Sequence, residues 1–314
     1  MMAILASRPT EARMTGRKER ARLVLGCTAL TATAGALSGC AAGSHAEVST
    51  APDWRNGMAI QLYSFHRDLE RDLPGTLRRI KALGFDRVET YPVTNVSAGE
   101  LRAALDAAGL DAISAHMPWG RIKSDVAGVI ADARVLGVDQ FGPGSINLFD
   151  GKPFRLMTLG EAEEAGVHLK RACAAARSAN MRVFVHTHGN EFTSAGESRP
   201  LDRMVQSAGN CFDIQADISW IKWAGADPAA FIRRYGTKVT ALHVKDIAAT
   251  AIGREFGSFG PESFTIVGKG SVDWAQVMRA ARASAVRYYI VEDESADPAQ
   301  QIPHSLDYLD DGHF

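Results

Sequence analysis

The sequence predicts a (β/α)8 TIM barrel, a single α/β domain in which eight parallel strands alternate with helices. Short apolar runs of strand length occur eight times between Asn56 and the C-terminus, separated by stretches with apolar residues at helical spacing. This alternation is typical of a parallel sheet with right-handed crossovers. The span of about 260 residues also fits the ~250 residues of such a barrel.

Each predicted strand is a run of four to eight residues rich in apolar side chains. The runs are 59–64, 87–91, 112–117, 138–143, 182–188, 212–218, 239–246 and 288–293. Between them, sets such as Leu77, Ile80 and Leu83 mark helices that bury one face. A doubly wound open sheet is the alternative. It is disfavoured because no GxGxxG follows the first strand and no Walker motif occurs.

The first 39 residues are predicted to be a signal peptide of the lipoprotein type. Six basic residues precede an uncharged stretch over 23–39, which is too short and too weakly apolar for a transmembrane span. The stretch ends at Leu37-Ser38-Gly39-Cys40, which resembles a bacterial lipobox with Cys40 as the lipidated residue. The alternative is a plain secretory signal with an incidental cysteine. We therefore expect export to the cell envelope or periplasm, with the membrane contacted only through Cys40.

The domain organisation follows from this division. Residues 40–55 are small and polar and predict a tether, and residues 56–314 form the barrel. Without residues 1–39 the chain has 29 basic and 34 acidic residues, a net charge of −5, against −1 for the whole. This balance argues against a nucleic-acid partner. No spacing pairs Cys173 with Cys211, so both are predicted to be separate buried thiols.

Strand alternation places ionisable side chains at one end of the barrel. Residues two apart on a strand share a face, and barrel chemistry lies at the carboxyl ends of the strands. On the last four strands the inward positions are His186 and His188; Asp213, Gln215 and Asp217; His243 and Lys245; and Glu292. Earlier strands add Gln61, Tyr63, Glu89 and His116, and Glu191 follows the fifth strand.

A divalent cation would explain why so many ionisable side chains gather at one end of the barrel. Crowded carboxylates and imidazoles in a partly dry cavity repel one another or lose solvation unless a countercharge is present. Two carboxylates with imidazole and water suit Mn²⁺, Mg²⁺, Co²⁺ or Zn²⁺. The alternative for each residue is a local salt bridge or a loop cap.

Five segments, in order, carry a family resemblance. They are HTHGNEF (186–192), DISW (217–220), LHVKD (242–246), VGKGSVDW (267–274) and VEDE (291–294). Together they resemble the xylose isomerase-like TIM barrels, known as sugar phosphate isomerases/epimerases. The family also includes dehydratases, endonucleases and enzymes of oxidised sugars. The resemblance implies one divalent metal ion held by a Glu, an Asp, a His and a second Glu from the last four strands.

Matched residue by residue, the family's ligands fall on Asp217, His243 and Glu292. Epimerase-type members carry the first glutamate within the fifth strand, where this chain has His186. Glu191 of the HxHxxEF pattern is the favoured fourth ligand, and His186 is the alternative. This departure weakens the assignment as an epimerase, because the usual pair of facing glutamates is incomplete.

The mechanism that the resemblance implies is proton abstraction next to a carbonyl of a sugar or oxidised sugar. Glu292 is then a ligand and possible base, and His188 or Glu191 is the second proton-transfer group. Lys245 would stabilise developing negative charge, or instead form a salt bridge to Asp213, Asp217 or Glu292. Residues predicted to contact substrate are Gln61, Tyr63, Glu89, His116, His186, Trp220 and Lys269. The last is flanked by Gly268 and Gly270 before a helix.

Three function classes follow from these observations. The first is a metal-dependent isomerase or epimerase, or with the same site a lyase on 3-keto-glycosides. The others are a sugar-binding lipoprotein without catalysis and, least favoured, an endonuclease-type hydrolase. Export predicts a non-phosphorylated substrate, because phosphorylated sugars are mainly cytoplasmic. The expected partner is a small carbohydrate, with a homo-oligomer as a further possibility.

Overall fold

Eight parallel strands close into a barrel, which confirms the predicted fold. The computed structural model describes residues 54–146, 155–253, 260–312 and 314, so the predicted signal peptide and Cys40 lie outside the described residues. The barrel strands are β1 (Met58–Gln61), β2 (Arg87–Thr90), β3 (Asp111–Met117), β4 (Gln140–Pro143), β5 (Arg182–His186), β6 (Asp213–Asp217), β7 (Val239–Val244) and, last in the chain, β10 (Tyr288–Val291). Two short strands, β8 (Asp246–Ile247) and β9 (Phe264–Thr265), form a separate antiparallel pair.

Helices surround the barrel and connect its strands. They are α1 (His66–Arg71), α2 (Leu73–Ala82), α3 (Ala98–Ala108), α4 (Trp119–Ser124), α5 (Val126–Leu136), α6 (Leu159–Ser178), α7 (Arg199–Ser207), α8 (Ile218–Trp223), α9 (Pro228–Tyr235), α10 (Trp274–Arg282) and α11 (Pro298–Asp311). Helices α3 and α6 begin with capping boxes, in which Ser97 and Thr158 pair with Glu100 and Glu161. In the described part of the chain, no helix is long and apolar enough to cross a membrane.

The barrel closes because β1 pairs with both the second and the last strand. Ile60 lies opposite Val88 on one side and opposite Val291 on the other. Around the barrel the order is β1, β10, β7, β6, β5, β4, β3, β2. Strands β10, β7, β6 and β5 therefore form one arc of the mouth, and β1, β2 and β3 lie in the opposite arc.

The alternation of residues separates the core from the site. Val183, Val185, Ile214, Leu242 and Val244 point toward the helices and are almost fully buried. The helix stripes that meet them, such as Leu77 with Ile80, are buried as well. The polar residues between them are thereby turned to the barrel axis.

Several strands end earlier than predicted. Strand β1 ends at Gln61, β5 at His186 and β10 at Val291, so Tyr63, His188 and Glu292 lie just beyond the strands. Beyond these strand ends the backbone makes isolated hydrogen bonds, such as the one from the Glu292 N–H to the Val244 carbonyl at 3.2 Å. Past these points the period of two no longer fixes the direction of a side chain.

Cys173 and Cys211 form a disulfide, so the prediction of two separate thiols is wrong. The two cysteines are 38 residues apart in sequence, and their Cα atoms lie 6.1 Å apart. Cys173 is in the middle of α6, and Cys211 lies just before β6 within reach of the Leu169 carbonyl of the same helix. Spacing could not reveal this pair, because only the packing of α6 against the start of β6 brings the two residues together.

Removing this disulfide should destabilise the fold. Closing a loop across the 38-residue separation restricts the unfolded chain by about 3–4 kcal/mol. We expect the Cys173→Ala/Cys211→Ala double variant to lose about that free energy of unfolding in urea titrations, and reduced wild-type protein to match the variant. Equal stability of oxidised wild type and the double variant would contradict the prediction.

Candidate metal centre and cavity at the barrel mouth

Four buried side chains converge at the carboxyl ends of β5, β6, β7 and β10. One ligand atom from each of His186, Asp217, His243 and Glu292 lies within 4.8 Å of the others. We call these four residues the metal cluster. Asp217 and His243 have no exposed surface, and His186 and Glu292 are almost completely buried.

Asp217 is held by the helix that follows it. Its Oδ1 accepts hydrogen bonds from Trp220 N–H and Ser219 Oγ, both at 2.9 Å, as the N-cap of α8. The other oxygen, Oδ2, is left pointing into the cluster, 3.0 Å from Lys245 Nζ. Burial raises the pKa of this carboxyl, but Lys245 and His186 outweigh it and hold the pKa below its usual range.

His186 presents a lone pair to the cluster. Its Nδ1–H donates to the Gly144 carbonyl at 2.7 Å, which fixes the tautomer with Nε2 as the acceptor. Burial and the neighbouring His243 lower its pKa to about 4, so the ring is neutral. Nε2 lies 3.4 Å from Asp217 Oδ2, and neither atom makes a hydrogen bond with any described residue.

His243 is oriented by a carboxylate behind it. Its Nε2 lies 2.7 Å from Glu89 Oε1 and its Nδ1 lies 2.9 Å from Glu292 Oε2. Burial lowers the pKa of His243, but Glu292 and Glu89 raise it overall to about 10. A carboxylate on one ring nitrogen is the usual partner of a histidine that binds metal through the other.

Lys245 bridges three carboxylates beside the cluster. Its ammonium lies 2.8 Å from Glu292 Oε2, 2.6 Å from Glu294 Oε1 and 3.0 Å from Asp217 Oδ2. Although burial lowers the pKa of Lys245, these carboxylates raise it well above its usual value. Lys245 is therefore a fixed cation, and of its predicted salt-bridge partners it contacts Asp217 and Glu292 but not Asp213, which pairs with Arg182.

The residues present fit a divalent cation. Glu89, Asp217, Glu292 and Glu294 supply four carboxylates, and the cationic partners at the cluster are Lys245 and His243. Two acceptors, His186 Nε2 and Asp217 Oδ2, face each other at 3.4 Å; the Lys245 ammonium lies 3.0 Å from Oδ2, but no described donor forms a hydrogen bond to Nε2. Such a pair is costly in a buried site unless a positive charge lies between them.

A cavity of about 540 Å³ opens above the cluster. His186, His188 and Glu292 line it near the cluster, together with Glu294 and His116. The cavity thus gives a small molecule access to the buried ligands.

The chain matches one known protein family. A family model described as a xylose isomerase-like TIM barrel matches residues 77–312. That span covers about three quarters of the chain and includes the whole metal cluster. The chain belongs to this family.

Individual relatives are distant. An inosose dehydratase from Lacticaseibacillus casei is 24% identical over 165 residues, which are 50% of this chain and 54% of that protein. The chain thus spans about half the length of the curated relatives it matches. A solved sugar phosphate isomerase/epimerase from Parabacteroides distasonis has a TM-score of 0.65 at 19% identity, covering 83% of this chain and 95% of that one. The IOLI protein, solved with a zinc atom, has a TM-score of 0.60 at 12% identity, covering 80% and 95%.

This member of the xylose isomerase-like family places His186, not Glu191, in the metal cluster. The preference for Glu191 as the fourth ligand therefore has no geometric support. Glu191 is fully buried and turns back to accept the His188 N–H at 3.0 Å, and its other oxygen has no described hydrogen-bond partner. The chain reverses at Gly189, with φ +88°, where a Cβ would lie 2.7 Å from the Trp223 ring. That turn removes Glu191 from the inward face.

Five of the seven predicted substrate contacts divide into two groups. Tyr63, His116 and His186 line the cavity. Gln61 and Glu89 are fully buried beneath it, where Gln61 Nε2 donates to Glu89 Oε1 at 2.7 Å.

Trp220 and His188 form a stacked pair at the edge of the site. The indole is 3% exposed, and its ring centre lies 4.6 Å from that of His188. His188 lines the cavity, and burial lowers its pKa to about 3, so it is a neutral imidazole. Trp220 thus supports a cavity residue rather than lining the cavity itself.

Lys269 is exposed and does not line the cavity. The glycine-rich loop around it is organised instead by the buried Asp246, whose carboxylate accepts the N–H groups of residues 268, 270, 271 and 272 and of the Trp274 indole. At Gly270 a Cβ would lie 2.1 Å from Asp246 Oδ1, so only glycine fits. These donors are used within the protein and do not form an anion site.

Two functional contacts were missed in the sequence. Glu294 lines the cavity and holds Lys245, and the signal for it was its position two residues after Glu292 in VEDE. The Gly144 carbonyl orients His186, and a backbone group of this kind leaves no signal in a sequence.

The ionisation of Glu191 should make the free energy of unfolding depend on pH. Burial raises its pKa to about 7, despite the hydrogen bond from the His188 N–H, against 4.5 for an ordinary glutamate. The stability that comes from the buried neutral form is complete below pH 4.5 and lost as pH rises toward 7, by about 3 kcal/mol. Glutamine does not ionise, so we expect Glu191→Gln to remove this loss. Between pH 5 and pH 8 the unfolding free energy of the variant should therefore rise relative to that of wild type.

Urea titrations of both proteins across that range measure the effect. Glu197→Gln, an exposed carboxyl in the same loop, is the matched control and should follow wild type. Parallel curves for wild type and Glu191→Gln would contradict the prediction.

Proposed function

We propose that the protein is a divalent-metal-dependent enzyme that abstracts a proton next to the carbonyl of a non-phosphorylated sugar or oxidised sugar. The observation that carries the proposal is the pair of buried acceptors, His186 Nε2 and Asp217 Oδ2, which face each other at 3.4 Å beside His243 and Glu292. The ligand atoms of these four residues lie within 4.8 Å of one another, and two of the residues, His186 and Glu292, also line the cavity.

The four residues of the metal cluster would hold the ion. When bound, a divalent cation polarises carbonyl and hydroxyl oxygens and lowers the cost of removing a neighbouring proton. Two imidazoles among four ligands favour Mn²⁺, Co²⁺ or Zn²⁺ over Mg²⁺. The zinc atom reported for the IOLI protein is consistent with that preference.

The cavity supports a non-phosphorylated substrate. Among the described residues that line it, Lys123 is the one lysine or arginine. Its ammonium lies 5.7 Å from the centre of the Trp119 ring, at the exposed rim. A phosphate group is normally recognised by several basic side chains or by N–H groups at a helix N-terminus, and the loop around Lys269 has already used its N–H groups.

Glu294 is the group best placed to move the proton. Its carboxylate lines the cavity, remains 23% exposed, and is held by the Lys245 ammonium at 2.6 Å. The fixed positive charge of Lys245 keeps Glu294 in one position and stabilises negative charge that develops on the substrate. Glu191, the other predicted proton-transfer group, is buried away from the cavity.

A single carboxyl supports two outcomes. Glu294 takes the carbon-bound proton and returns it to the former carbonyl carbon, while the proton of the neighbouring hydroxyl passes to the former carbonyl oxygen, which gives isomerisation. It can instead pass the proton to a β-hydroxyl, which leaves as water while a carbon–carbon double bond forms. Epimerisation needs a second group on the opposite face, and His186 occupies the strand position where epimerase-type members carry that glutamate. Dehydration is the second candidate function, and the similarity to inosose dehydratase favours it.

We also propose that the protein is exported and anchored through Cys40. The Cys173–Cys211 disulfide supports this, because disulfides persist in the periplasm and outside cells but are rare in the cytosol. A cytoplasmic pool of sugar phosphates would then be out of reach, in agreement with the cavity.

Solvent isotope exchange tests the reaction. We expect Mn²⁺-loaded protein in D₂O to place deuterium next to the carbonyl of at least one member of a panel of ketoses, inososes and 3-keto-glucosides. A product that has lost 18 mass units would identify dehydration. A product of unchanged mass, apart from the incorporated deuterium, would identify isomerisation. Glu294→Gln should slow exchange by about 10²-fold or more, whereas Lys269→Met, which lies outside the cavity, should not.

Absence of exchange across the panel, with metal and sugar both bound, would contradict the enzyme and favour a sugar-binding lipoprotein. Exchange confined to sugar phosphates would contradict the substrate class.

A further inference from the structure

The cavity has two chemically different sides. The metal cluster and Glu294 lie on the arc formed by β5, β6, β7 and β10. The other side is lined by residues at the carboxyl ends of β1, β2 and β3 or just after them, namely Tyr63, Tyr91, Pro92, Met117, Pro118 and Trp119. We call these six residues the aromatic wall.

The aromatic wall presents apolar surface that the fold itself does not cover. Tyr63 is 39% exposed, one of the few large hydrophobic side chains left open in the described structure. It stacks on His66, with ring centres 4.6 Å apart, and meets the edge of Tyr91 at 5.3 Å. These contacts hold the ring in place, so its exposed surface is ready to receive a ligand.

The wall offers few hydrogen-bonding groups. The polar side-chain groups beside it are the Ser145 hydroxyl and the rim ammonium of Lys123, and the wall itself carries the tyrosine hydroxyls and the Trp119 indole N–H. The Tyr91 hydroxyl is buried and makes no hydrogen bond with a described residue. A second sugar ring would need many partners for its hydroxyls, whereas a planar apolar group needs none.

The volume exceeds what a free hexose fills. At about 30 Å³ per water, 540 Å³ holds ~18 waters, whereas a hexose has only about a dozen heavy atoms. A hexose next to the metal cluster therefore leaves space beside the aromatic wall.

We propose that the substrate is an aryl glycoside of an oxidised sugar, such as a 3-keto-glycoside, with the carbonyl-bearing sugar ring at the metal cluster and the planar aglycone against the aromatic wall. This inference rests on the proposed function for the position of the sugar. The aglycone stacks on Tyr63 and is bordered by Pro92, Met117 and Pro118. Lys123 at the rim suits a phenolic oxygen or a carboxylate on the aryl ring.

Matched pairs of glycosides test the aryl subsite. The probes are the phenyl and methyl glycosides of glucose, galactose and xylose, in both anomers, which lack the reacting carbonyl and therefore bind without being consumed; they are titrated calorimetrically into the full chain with Mn²⁺. We expect the phenyl member of at least one pair to bind about tenfold or more tightly than its methyl partner. Tyr63→Ala, at an exposed position, should reduce that ratio toward one. Tyr308→Ala, which removes a ring on α11 remote from the cavity, should leave the ratio unchanged.

Equal affinities within every pair, or no binding by any phenyl glycoside, would overturn the aryl subsite. Tighter binding of a disaccharide such as cellobiose than of the phenyl glucoside would overturn it in favour of a second sugar. These results would leave the isotope-exchange test of the proposed function intact. Conversely, a phenyl preference that depends on Tyr63, without any exchange, would contradict the enzyme and retain the subsite.

Discussion

The Glu89 carboxylate, buried at the axis of the barrel, connects most of the site. It accepts hydrogen bonds from Gln61, Ser114 and Gln215 at 2.6–2.7 Å and contacts His243 and His116 at 2.7 and 3.0 Å. Burial alone would raise the pKa of this carboxyl, but His116 and His243 outweigh it and hold the pKa well below its usual range. A fixed negative charge at this position sets the orientation of the imidazoles above it.

His243 connects the buried Glu89 carboxylate to the barrel mouth. With Nε2 directed to Glu89, the ring can offer only Nδ1 to Glu292 and to the cluster. His186 is fixed in the same way by the Gly144 carbonyl, and Asp217 by the start of α8. Three of the metal-binding side chains are thus preorganised by groups outside the metal cluster, while Lys245 balances part of the surrounding negative charge. The same arrangement of side chains would give the metal cluster its affinity for a cation and leave the bound cation accessible from the cavity.

Periodicity and motif order predict much of this from sequence. The eight alternating runs predict the barrel, the strand period of two predicts the inward position of Asp217, His243 and Lys245, and the five ordered segments predict the family. The period of two fails where strands end. The HxHxxEF pattern favours Glu191 as a ligand, but the turn at Gly189 redirects its side chain, and His186, still on the strand, joins the metal cluster instead. The Cys173–Cys211 disulfide and the Gly144 carbonyl depend on tertiary packing that no local pattern records.

Anomalous diffraction from crystals equilibrated with Mn²⁺ tests whether the metal cluster binds a divalent cation. We expect one strong peak per chain, about 2.0–2.3 Å from His186 Nε2, Asp217 Oδ2, His243 Nδ1 and Glu292. The peak should be lost in Glu292→Gln and retained in Lys269→Met. A cluster without a peak at saturating Mn²⁺ or Zn²⁺, with the Lys245 ammonium still between Asp217 and Glu292, would contradict this expectation.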